Sequence, residues 1–110
     1  MNSYNKYTDL QINELVATRL KKKCLLTEES VLAYMDSGYR TFDPCNNPAD
    51  AMPIIIENLI SLMADMSDDG GSTWWFASDI SSGITSRYKS NPYRAAMELF
   101  LMMKDVENES

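Results

Sequence analysis

Two short runs carry the residues best suited to chemistry in this chain. They are Asn46-Asn47-Pro48, with Asp50 three residues past the second asparagine, and Asn91-Pro92-Tyr93-Arg94. Asparagine before proline is a helix-start signal. The side-chain carbonyl accepts from an orphan backbone N–H one turn ahead, and proline at the first helical position loses no bond by lacking an N–H. Exposed N–H groups at such starts can bind phosphate or carboxylate with no catalytic residue. Arg94 adds a planar guanidinium able to grip an anion through two parallel bonds, in a first turn where the helix dipole mildly disfavours a cation. The plainer alternative is an ion pair from Arg94 to Asp50 or another carboxylate. Tyr93 and one of the adjacent Trp74 and Trp75 offer faces on which a base can stack. The candidate ligand-binding residues are therefore Asn46, Asn47, Asp50, Trp74, Trp75, Asn91, Tyr93 and Arg94. The chemistry they suggest is non-covalent capture of a small anionic, nucleotide-like molecule.

Catalysis is poorly supplied. The chain of 110 residues has no histidine, which removes the commonest general base, the commonest zinc ligand and every Ser-His or Cys-His nucleophile pair. Its two cysteines, Cys24 and Cys45, form no CxxC motif. Asp68 and Asp69 sit in a Gly-rich turn whose loop chemistry accounts for them. Asp65 and Asp79 flank the same turn without calcium-loop spacing, and no P-loop or GxGxxG is present. The expectation is a protein that is not an enzyme, with no catalytic residue, no metal and no cofactor. A net charge of −6 argues against a nucleic-acid partner and suits a surface that faces a basic one. No apolar run approaches the roughly 20 residues that span a membrane. The absence of a signal peptide points to the cytoplasm, where thiols stay reduced.

Those residues need elements to hold them, and the pattern supplies a single α+β domain over 1–110. Thr8 with Gln11 makes a capping box, predicting a helix from about Asp9 to Lys22 with Ile12, Leu15, Val16 and Leu20 inward. The basic residues Arg19 and Lys21-Lys22-Lys23 then complement its carboxyl end. Residues 1–7 and 107–110 read as frayed or solvated ends. Alternation through 31–35, the turn Asp36-Ser37-Gly38 and the run to Phe42 predict a hairpin. Met52, Ile55, Ile56 and Leu59 mark the apolar face of a helix begun at Pro48, in which Pro53 is expected to cause a kink and Asn58 a stop. A strand from about Ile60, the turn at 67–72 and a returning strand at 73–78 follow. Adjacent Trp74 and Trp75 must face opposite sides of that sheet; the pattern does not say which is inward. Residues 79–90 read as a loop or irregular edge strand. The last helix, from Pro92 to about Lys104, is apolar almost all round, interrupted by Glu98. That predicts burial on several faces, by the sheet or by a second subunit, and hence a homo-oligomer. The predicted order is α-ββ-α-ββ-α, with an antiparallel sheet of about four strands and three helices.

The run Pro44-Cys45-Asn46-Asn47-Pro48-Ala49-Asp50-Ala51, the following Pro53-Ile54-Ile55, and Asn91-Pro92 with Arg94-Ala95-Ala96-Met97 resemble the NinX-like family of small phage proteins. The first helix, with residues 12–17, is similar as well. About half the chain carries the likeness, and residues 72–90 match poorly. Where the family has a tryptophan, this chain has Met52, and Lys21-Lys22-Lys23 replaces a Leu-Gly stop. The resemblance implies a phage accessory protein acting in the cytoplasm of the infected bacterium, with countering host defence as one such role. Two readings follow. One is sequestration of a small anionic host signal. The other is an acidic inhibitor that blocks a host protein through an exposed Trp or Met patch.

Overall fold

The computed structural model describes residues 4–109, so the frayed end expected at residues 1–3 and the last residue lie outside it. Helix α1 spans Asp9–Arg19. The Gln11 amide donates to the Thr8 hydroxyl at 3.1 Å, and the Thr8 amide donates to the Gln11 side chain at 2.8 Å, completing the capping box. The helix stops before Lys22 because Lys21 adopts a left-handed φ of +58°. The Lys22 and Lys21 amides then donate back to the Ala17 and Thr18 carbonyls, a Schellman closure with lysine where glycine is usual. Inward on α1 are Ile12, Asn13, Val16 and Ala17; Leu15 and Leu20 are half-buried.

Three short strands follow as an antiparallel meander: β1 (Cys24–Leu26), β2 (Val31–Met35) and β3 (Gly38–Thr41). The expected hairpin is β2–β3, with Tyr34 opposite Tyr39. Strand β1 was not anticipated, because three residues are too few for alternation to show. Helix α2 spans Pro48–Glu57 and continues through Pro53, with Asn58 at its end. Strands β4 (Ile60–Met66) and β5 (Thr73–Asp79) form a second antiparallel sheet, and α3 (Pro92–Glu109) closes the chain. The architecture is α+β with three helices, in the order α-βββ-α-ββ-α. The strands number five and divide into two sheets instead of one sheet of about four.

Helix α3 is the centre of the core. It packs on β5, α1, α2 and β4, and all residues from 95 to 101 are buried. The chain itself therefore wraps the all-round apolar helix, and no second subunit is needed to cover it. The helix also runs on to Glu109, past the expected end at Lys104, so the tail is helical, while residues 107 and 108 are solvent-exposed as expected. Residues 4–7 are likewise not frayed: Tyr4 is buried and its hydroxyl donates to Asp105. Among the described residues, no helix is long and apolar enough to cross a membrane.

Candidate functional site

The two asparagine-proline starts meet, together with the first turn of α1. Asn47 caps α2, its side-chain oxygen accepting from the Ala49 amide at 3.0 Å. Asn91 caps α3 in the same way, accepting from the Tyr93 amide at 2.9 Å. The Asn91 side-chain amide donates to the Cys45 carbonyl at 2.6 Å and to the Asn46 side-chain oxygen at 3.3 Å. Asn46 in turn donates to Asp9 at 3.2 Å and to Asp43 at 3.1 Å. Asp50 accepts from the Asp43 amide at 2.9 Å and from the Asn47 side chain at 3.3 Å. Asn46, Asn47, Asp50, Asn91 and Arg94 thus belong to one polar junction.

This junction is a knot of self-satisfied groups, not an open anion site. Arg94 is 11% exposed, and four of its five N–H directions are taken. Nε donates to Glu98 at 2.6 Å, Nη1 to Asp9 at 2.6 Å, and Nη2 to the carbonyls of Tyr4 and Tyr7 at 2.9 and 2.6 Å. The expected alternative of an ion pair holds, with Asp9 and Glu98 as partners in place of Asp50. Burial by itself lowers the guanidinium pKa, and the bonds to Asp9 and Glu98 more than restore it, so its net shift is upward. Lys89 reaches the same Glu98 oxygen, Oε2, at 3.0 Å, so a carboxylate only 3% exposed has two cationic partners. The adjoining cavity, about 200 Å³, is lined by Asp9, Glu29 and Asp43 among others, a field that repels phosphate. Cys45 donates weakly to the Asp9 carbonyl, and burial, reinforced by Asp9, pushes its thiol well above the usual range.

The remaining candidates lie elsewhere. Tyr93 packs half-buried against the core and makes no stack with a tryptophan. On β5, Trp75 shares the inner side with buried Ala77 and Asp79, whereas Trp74 points outward beside Phe76. Tyr88 sits edge-on to both outer rings, with centroids 5.7 Å from Trp74 and 5.3 Å from Phe76. The buried indole N–H of Trp74 has no acceptor among the described residues, so ring packing alone holds it. Across the ladder Met63 opposes Phe76 and Asp65 opposes Trp74, so these share the outer face. Tyr88, Met63 and Met66 are all exposed. At the turn end, Ala64, Asp65, Met66, Thr73 and both tryptophans line a recess of about 400 Å³. The hairpin thus overhangs the core and presents apolar groups to solvent.

No group of three or more His, Cys, Asp or Glu residues among those described is placed to hold a metal. Asp65 and Asp79 cannot share a cation, since they sit at opposite ends and on opposite faces of the hairpin. Asp79 is instead bonded to Ser81 and Ser82, and Asp69 to Ser67 and Gly71. The basic cluster after α1 is also engaged: Arg19 pairs with Asp105 at 2.9 Å, Lys22 lies over Phe42 and Lys23 over Tyr34.

The family model of Bacteriophage P22 NinX matches residues 3–104. This chain belongs to the NinX family. No curated protein matches the chain. Within residues 44–51 and 91–97, on which the sequence likeness rests, Asn46, Asn47, Asp50, Asn91 and Arg94 belong to the polar junction. Sequence reasoning missed Asp9, Asn13, Asp43 and Lys89 as members of this junction and of the ion cluster beside it. Asn13, 5% exposed, donates to Asp43 at 2.7 Å and accepts from the Cys45 amide at 3.1 Å. Its position beside Ile12 and four residues before Ala17, on the buried stripe of α1, was the available signal.

Proposed function

We propose that this NinX-family phage protein acts without catalysis, as an accessory factor that docks on a host protein through the outer face of the β4–β5 hairpin. A role in countering host defence in the cytoplasm of the infected bacterium fits that class of gene and is part of the proposal. The observation that carries it is the overhanging hairpin, whose outer face sets Met63 and Tyr88, exposed at 48% and 58%, beside half-buried Trp74 and Phe76. Aromatic and methionine side chains clustered on an unburied face are what protein interfaces are enriched in. Absence of histidine, a buried and unreactive Cys45 and turn-bound acids support a non-catalytic role.

Sequestration of a small anionic, nucleotide-like signal is the weaker reading, because Arg94 is committed to Glu98 and Asp9 and both helix starts cap themselves. The test compares the wild type with Met63→Ser/Tyr88→Ser in quantitative capture from lysate of the phage host. The proposal expects a stoichiometric host protein retained by the wild type and reduced at least about tenfold, worth 1.4 kcal/mol, by the double variant. Equal capture by both would remove the hairpin face. Calorimetric binding of a cyclic or linear nucleotide below about 10 μM, roughly 7 kcal/mol, would restore sequestration instead.

A further inference from the structure

Strand β4 has an open edge. In the β4–β5 ladder, the Trp75 amide and carbonyl bond Lys89, Ala77 bonds Ser86, and the Asp79 amide bonds the Ile84 carbonyl, all on the side away from β4. Residues 75, 77 and 79 are therefore non-bonded positions of the β4–β5 pair, and so are their partners Ala64, Leu62 and Ile60. The backbone groups of Leu62 and Ala64 consequently point outward from the sheet. Among the described residues none of them finds a backbone partner, and β4 packs mainly on β5, α2 and α3. A strand of seven residues left open in this way is a template for another strand unless charge, proline or a bulge blunts it. Here only Asp65 carries charge, and its carboxylate folds back to accept from the Met66 amide at 2.8 Å.

The charge around this edge names its occupant. Between Arg40 and Arg87 the chain contains no Lys or Arg, while Asp43, Asp50, Glu57, Asp65, Asp68, Asp69 and Asp79 all fall in that interval. Glu57 precedes one end of β4 and Asp65, Asp68 and Asp69 lie at the other, the strand itself spanning about 20 Å at roughly 3.4 Å per residue. A second copy would bring like charges together along this line. We infer that β4 receives an extended, lysine- or arginine-bearing strand of a partner protein, which pairs its backbone with Leu62 and Ala64, meets the acids at both ends, and lays alternate apolar side chains beside Met63.

This inference rests on the hairpin reading above and specifies how the partner is held. The probe is a heptapeptide alternating lysine and valine, with its glutamate counterpart as control, followed by amide hydrogen exchange in the whole protein. The lysine peptide is expected to slow exchange at Leu62 and Ala64 at least about tenfold, to weaken several-fold between about 0.05 and 0.5 M salt, and to leave the glutamate peptide without effect. Ala64→Pro removes one outward N–H without touching the bonds to β5, and should abolish the effect with the circular dichroism unchanged. If that variant unfolds, N-methylation of alternate peptide amides makes the same deletion from the ligand side. Binding that perturbs Met63 and Tyr88 but leaves the Leu62 and Ala64 amides exchanging freely overturns strand addition and leaves the hairpin face standing. No binding of the lysine peptide, or equal binding of both peptides, also overturns it, while the hairpin reading is judged separately by lysate capture. Protection that rises with protein concentration alone would make the occupant a second copy.

Discussion

Arg94→Ala separates a structural guanidinium from a ligand contact. The substitution deletes bonds to Glu98, Asp9 and the carbonyls of Tyr4 and Tyr7. Asp9 is 44% exposed, so its share is screened and contributes about 0–1 kcal/mol. Glu98 is not orphaned, because Lys89 remains at 3.0 Å, so the loss stays below the roughly 5 kcal/mol reached when a buried charge loses its only partner. The two carbonyls, one part-buried and one exposed, can each be rehydrated in part, so losing their donor is worth about 1–1.5 kcal/mol apiece, below the usual range for a charged donor. Together these predict a loss of about 3–4 kcal/mol, against a total of about 5–15 kcal/mol for a domain of this size. The midpoint of thermal unfolding should fall by roughly 10–20 °C. Urea unfolding followed by circular dichroism measures the difference directly. Because Glu98 and the two carbonyls carry most of the effect, it should change little between about 0.05 and 0.5 M salt. Arg94→Lys should recover less than half, since one ammonium cannot reach in three directions. A cost below about 1 kcal/mol with an unchanged m-value would refute the buried-network argument.

The structure predicts three further outcomes. The Asp79 carboxyl is held below its usual pKa, chiefly by the Ser82 hydroxyl and also by Ser81. Its contribution is present above the unfolded value of about 4 and is lost as pH falls through the lower folded value. Asp79→Asn should therefore flatten the acid limb of a stability–pH curve below about pH 4, and an unchanged limb would remove the assignment. In the native protein Cys45 should resist alkylation far longer than half-buried Cys24, as mass spectrometry after iodoacetamide treatment would read; equal rates would contradict the burial of Cys45. Leu59, 64% exposed, and Lys21 both hold left-handed φ at helix ends, so Leu59→Gly and Lys21→Gly should each raise stability by about 0.5–1 kcal/mol in thermal unfolding.

Much of the fold was legible because its signals are local. The Thr8–Gln11 box, the Asn47-Pro48 and Asn91-Pro92 starts, the turn at 67–72 and the alternation of β2, β4 and β5 each depend on a few neighbouring residues, and each appears where it was expected. Strand β1 escaped because Leu25 and Leu26 are both exposed and three residues show no period. The division into two sheets escaped because nothing in a strand's own sequence names its partner. The candidate site was half legible: Asn46, Asn47, Asp50, Asn91 and Arg94 do converge. Tyr93 packs against the core, and the tryptophans belong to a separate hairpin.

By itself the sequence determined the helix starts, the lack of histidine chemistry and the NinX likeness, all matters of residue type at short spacing; it misplaced the inward face of α2, where Ala51, Ile54 and Ile55 are buried and Met52, Ile56 and Leu59 are exposed. Only the tertiary structure decided what Arg94 is for. An arginine in a first turn can meet an anion from solution or one from its own chain, and the choice depends on Asp9, 85 residues away. It likewise decided that Trp74 and not Trp75 turns outward, and that α3 needs no second subunit, because burial is set by what packs from distant segments. Local chemistry fixes how each helix begins; where it ends, and which groups remain free to act, is settled only when remote carboxylates, carbonyls and strand edges have been brought together or left open.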